Sequence, residues 1–126
     1  MEVVYIAEIQ KTYGMILGVV LVLVGILGFI PGVTTDGLLL GIFGVNAVEN
    51  VVHLLGGAAI LYFVSKGSAK TTNMYLGYVG LLLALLGFIP VVSDLLLSIF
   101  GINMAATVLH LAIGVVSLGV AYGVKE

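Results

Sequence analysis

Histidine occurs twice in this chain, at His53 and His110, each time seven residues after an asparagine that closes the same kind of phrase. Leu-Leu-Leu-x-Ile-Phe-Gly-x-Asn runs from Leu38 to Asn46 and again from Leu95 to Asn103. A neutral imidazole is a ready metal ligand. Two of them at equal depth on equivalent helices suit axial ligation of one haem iron, and each is also able to hold the magnesium of a chlorophyll. Glu49 lies one helical turn before His53, the spacing of an ion pair or a Glu–His proton relay. With His110 added, the set becomes two histidines and one carboxylate, as found at iron sites. The counterpart of Glu49 in the second phrase is Ala106, so this set is asymmetric.

A helix must place these groups. At about 100° per residue, Asn46, Glu49, Asn50, His53 and Gly57 fall within one arc of about 100°. Asn103, Ala106, Thr107, His110 and Gly114 occupy the matching arc. The reading we favour for this stripe is structural. Asn46 and Asn103 are expected as N-caps, and the histidines are expected to donate to carbonyls of the neighbouring apolar loops, making a buried hydrogen-bond network. No metal is expected, because Glu49, close to the interface, is able to reach headgroup water, and no cofactor is expected, because nothing in the sequence fixes the distance between the two helices. The alternative is tetrapyrrole binding through His53 and His110, with Gly57 and Gly114 leaving room for a flat ring.

The surroundings are a membrane. Of 126 residues, 62% are hydrophobic and 8% charged, against about 45–50% and about 25% in an ordinary soluble domain. There is no cysteine, which excludes disulfides and thiolate sites. Arginine is absent and the net charge is −2, so nucleic-acid binding is not expected. No Ser-His-Asp arrangement, phosphate-cradling loop or paired-carboxylate site is recognisable. Asp36 and Asp94 read as turn formers.

Four apolar runs, roughly 12–30, 47–64, 74–89 and 104–124, approach the ~20 residues that cross a ~30 Å hydrocarbon core. Backbone groups in lipid must bond internally, so these runs are expected to be helices. Residues 1–10 lack the basic start and small-residue cleavage site of a signal peptide, so the first run is expected to remain as a membrane helix. Gly28-Phe29-Ile30-Pro31 returns as Gly87-Phe88-Ile89-Pro90, and each proline is expected to end a helix. The apolar connections 32–45 and 91–102 are expected as short helices at the interface or against the bundle.

The expected fold is therefore all-α: a four-helix transmembrane bundle in a single domain, residues 1–126. Repeat one would span 12–65, a hydrophilic turn 65–72 and repeat two 72–124. Two helices per repeat give both copies one orientation, so the pseudo-twofold axis runs along the membrane normal. Recurring small residues (Gly18 with Gly77, Gly28 with Gly87, Gly57 with Gly114) mark close helix contacts. Lys11, Lys66, Lys70 and Lys125 all fall on one side, which is expected to be cytoplasmic along with both termini. Tyr5, Tyr13, Tyr62, Tyr75, Tyr78 and Tyr122 form the expected aromatic belt on that side.

Gly28–Pro31, Leu38–Asn46 and Asn50-Val51-Val52-His53-Leu54 together resemble a bacterial four-helix membrane family known as domain of unknown function 4383. The resemblance runs from about Tyr13 to Tyr122. That family tends to have His-Asn before its Val-His-Leu, where this chain has Glu49-Asn50. The resemblance implies the four-helix fold, in a bacterial cytoplasmic membrane, and brings no activity with it. The expected function is non-enzymatic: a small structural or accessory subunit packed in the bilayer against itself or other membrane subunits. Tetrapyrrole-based electron transfer or light harvesting is the alternative. An enzyme or carrier acting on lipid or quinone through Glu49 and the histidines is a weaker one.

Overall fold

Nearly identical phrases take different structures in this protein. The computed structural model describes residues 2–124, with side chains from Glu8 onward. Lys125 and the side chain of Tyr5, which enter the expected charge and aromatic patterns, lie outside the described residues. The elements run α1 (Glu2–Leu27), β1 (Thr34–Thr35), β2 (Leu38–Leu39), β3 (Phe43–Gly44), α2 (Ala47–Ser65), α3 (Ala69–Gly87), α4 (Pro90–Phe100) and α5 (Met104–Gly123).

The second connection is helical, as expected. Pro90 does not end a helix but opens α4 at its first turn, where a missing N–H costs nothing. Gly101, left-handed at φ 75°, stops it. The first connection corrects the expectation of a short helix. It is a three-stranded antiparallel meander, with Thr34 opposite Leu39 and Leu39 opposite Phe43. Asp36 and Gly37 turn the first hairpin at φ 54° and 76°, both in the positive range that a tight two-residue hairpin needs. Gly32 and Gly41 also sit at positive φ. The corresponding stretch from Pro90 to Phe100 contains no glycine, so nothing there interrupts the helix. Pro31 lies beyond α1, which already ends at Leu27.

α2 and α5 start on matching caps. The Asn46 side chain accepts from Glu49 N at 2.9 Å, and the Asn103 side chain accepts from Ala106 N at 3.0 Å. Each asparagine also donates to the opposite connection. Asn46 Nδ2 reaches Ile99 O at 2.9 Å, and Asn103 Nδ2 reaches Ile42 O at 3.0 Å. Gly44 backs directly onto Gly101 between them.

The main packing joins α1 to α2 and α3 to α5. Glycine makes both seams. A Cβ on Gly57 would come within 2.7 Å of Gly18 O, and one on Gly114 within 2.7 Å of Leu81 N. Small residues let backbones approach in this way where lipid supplies no hydrophobic drive between helices. Apolar packing is centred on Ile60, Val64 and Ala69 at one end and on Leu96, Ile102 and Ala106 at the other.

The protein is all-helical apart from the small meander. Three helical stretches, Glu8–Leu27, Ala47–Ser65 and Met104–Gly123, are long and apolar enough to cross a membrane. A fourth span is counted if α3 and α4, bent by 113° at the intervening break, are taken together. Length and composition of this kind are those of an integral membrane protein.

Candidate functional site

The polar stripe divides into three parts, because helix periodicity sets an angle but not which neighbour meets it. The outermost part is the asparagine pair that ties the two connections. The second part turns into the seams. Asn50 is buried against Gly28, where a Cβ would overlap its carboxamide, and Thr107 is buried against Gly87 in the same way. The third part is the meeting of Glu49, His53 and His110.

Glu49 Oε1 lies 2.9 Å from His53 Nε2, one turn apart on α2. His110 comes from α5. One ligand atom from each of the three residues lies within 4.8 Å of the other two. Glu49 is only 6% exposed, and the His53 side chain 16%. Three expectations are corrected here. The histidines do not donate to loop carbonyls; the asparagines take those acceptors instead. Glu49 does not reach out to headgroup water, because the helix turns it inward. Gly57 and Gly114 leave no slot for a flat ring, since Gly18 and Val22 fill the space beside one and Gly77 and Leu81 the space beside the other.

Hydrogen bonding at the site is incomplete. Among the described residues, Nδ1 of His53 and Nδ1 of His110 are both buried without a partner, as is Asn50 Oδ1. Buried polar atoms are satisfied in the great majority of cases, so unpaired ones ask for an explanation. Surface hollows lie elsewhere: one is lined by Glu8, Ile9, Thr12, Tyr13, Ile16 and Val120, another by Phe63, Ser68, Thr71, Thr72 and Tyr75. Neither touches a histidine.

A second polar centre, at the opposite end, escaped the sequence reading. Gln10 is fully buried and donates to Val120 O at 2.9 Å and Val124 O at 3.1 Å. Asn73, also fully buried, donates to Gln10 O and Gln10 Oε1, both at 2.9 Å. Tyr13, expected in the aromatic belt, instead bonds Ser117 between α1 and α5. Tyr62, Tyr75, Tyr78 and Tyr122 remain exposed. These bonds bring Lys11 and Lys70, neighbours of Gln10 and Asn73, to one end of the helices. The sequence does hold a signal for this centre: polar residues at the ends of apolar runs, interpretable once the helices are paired.

No curated protein and no solved structure matches the chain. A family model does match, over residues 11–123 of the 126. That span takes in both asparagine caps, both histidines and all the helices that carry them, and the chain belongs to the family described as Domain of unknown function (DUF4383).

Proposed function

We propose that the protein is a non-enzymatic membrane subunit, a four-helix bundle made by tandem duplication of a helix–loop–helix hairpin. The exchanged bonds, Asn46 to Ile99 and Asn103 to Ile42, support a pseudo-twofold axis along the membrane normal, because each joins the same two positions of the repeated phrase. The observation that carries the functional reading is the outer surface. Only 22–28% of each candidate span is buried within the chain. The remainder presents large apolar side chains such as Ile16, Leu23, Leu55, Leu82 and Val115. Nearly all of the protein's exterior is thus fitted to lipid or to other transmembrane helices, and little is left for a soluble substrate. Both termini and the 65–72 turn face the cytoplasm of a bacterial cell in this reading.

The test is chemical cross-linking in native membranes, followed by native electrophoresis in mild detergent. A defined homo-oligomer or a reproducible membrane partner is expected. A lone monomer at every protein-to-detergent ratio would overturn the reading. Orientation is tested in the same membranes with a single introduced cysteine, which the cysteine-free sequence allows without background. Ser68→Cys should resist a membrane-impermeant maleimide in intact cells and Ser93→Cys should react; the reverse pattern inverts the topology.

A further inference from the structure

We propose that Glu49, His53 and His110 bind one divalent first-row transition-metal ion, which fastens the α1–α2 pair to the α3–α5 pair at the outer end of the bundle.

The donor set has the right chemistry. Two imidazole nitrogens and one carboxylate oxygen suit zinc, iron or cobalt. Calcium and magnesium are disfavoured, since they take oxygen donors in larger number. The spacing is close to what an ion needs. Ligands of a tetrahedral ion with bonds of about 2.0–2.1 Å stand about 3.3 Å apart. Here the three donors already lie within 4.8 Å of one another, on two separate helices. Small side-chain rotations close the difference.

The hydrogen bonding of the two rings is incomplete. In its bond to the Glu49 carboxylate, His53 Nε2 is the donor. A neutral His53 ring then has its lone pair on Nδ1, which is buried with no donor to it among the described residues. His110 Nδ1 is buried and unpaired as well. Each ring thus carries a nitrogen that the described residues leave unsatisfied, and both rings lie close to the buried Glu49 carboxylate. Glu49 faces Nε2 of His53, so an ion shared by these two side chains takes Nε2 in place of their hydrogen bond. The proton then moves to Nδ1.

The place in the fold gives the ion a structural task. α2 and α5 make little direct backbone approach, and at this end the link between the two pairs rests on the paired asparagines and connections. Gln10 and Asn73 join the pairs at the opposite end. Ala106, at the position matching Glu49, offers no fourth protein ligand, so the ion would complete its shell with water or another small ligand.

The test uses the full-length protein in mild detergent, with any affinity tag removed and metal stripped by a chelator. Cobalt(II) is titrated as the optical probe and then displaced by zinc. One equivalent per chain is expected, with a rise in the temperature of helix loss. The near-isosteric variants Glu49→Gln, His53→Gln and His110→Gln should each weaken binding by more than about 100-fold, beyond what loss of an outer-sphere partner costs. Gln10→Ala, at the far end, should bind as the parent does. A parent protein that takes up no stoichiometric cobalt or zinc would overturn the proposal, as would binding unchanged in the histidine variants. Where a variant fails to fold, cadmium-113 coupling to nitrogen-15-labelled imidazole in the parent decides instead. The chain has only two histidines and no cysteine, so coupling to both rings supports the site and coupling to neither or one refutes it.

Discussion

Asn46 performs two tasks with one carboxamide, and the two can be separated by substitution. Its Oδ1 caps α2 by accepting from Glu49 N, and its Nδ2 holds the second connection through Ile99 O. Asn46→Ala removes both. A lost N-cap costs about 1 kcal/mol. The bond between connections is solvent-exposed, so it belongs in the lower part of the usual range, about 0.5–1 kcal/mol. The total is about 1.5–2 kcal/mol. Asn46→Ser keeps a good capping oxygen but is too short to span to Ile99, so it should cost only the second part, about 0.5–1 kcal/mol. The same ordering is expected at Asn103, which bonds Ala106 N and Ile42 O. The two long bonds close one interface, where Gly44 meets Gly101. The double serine variant should therefore depart from the sum of the singles by about 0.5 kcal/mol or more. Equilibrium unfolding in mixed micelles, followed by far-UV circular dichroism, measures all of these. If serine costs as much as alanine, the bond between connections contributes nothing separable. If alanine falls within about 0.5 kcal/mol of the parent, as an ordinary surface change does, the double role is wrong.

Two further expectations concern glycine. Gly56 and Gly57 are adjacent but should respond oppositely to alanine. Nothing lies within 4 Å of a Cβ on Gly56, so Gly56→Ala should stabilise by up to about 1 kcal/mol through helix propensity. Gly57→Ala would press on backbone atoms Gly18 O and Val22 N, at 2.7 and 2.8 Å, and should cost about 1–3 kcal/mol as an overpacked contact does; the same micellar unfolding decides, and equal effects would refute the seam. Gly41→Ser gives the first connection the residue its counterpart carries at Ser98. With φ at 72° and open space around it, the substitution should cost about 1–2 kcal/mol of left-handed strain; a neutral result in the same assay would show that the meander does not depend on this turn.

What the sequence determines by itself is the solvent and the local grammar. An apolar composition with few charges places the chain in lipid, and lipid forces unpaired backbone into helices. Asn46 and Asn103 were legible as caps because capping is settled within four residues. The repeated phrase makes Gly57 equivalent to Gly114 and His53 to His110 before any coordinate is known. Asp36-Gly37 between Thr-Thr and Leu-Leu is also a hairpin signal, one that the helical reading of the repeated Leu-Leu-Leu phrase did not take into account. Tertiary structure alone decides the rest. A helical wheel gives Asn50, His53 and Glu49 one face of α2, yet Asn50 meets Gly28, just past the end of α1, while Glu49 and His53 meet a histidine of α5. That division depends on where two other helices stand, and so does the burial of Gln10 under Asn73 across sixty-three positions of chain. Distances between helices are set by the sizes of the residues in their seams acting together, through contacts that local spacing along one strand of sequence does not encode.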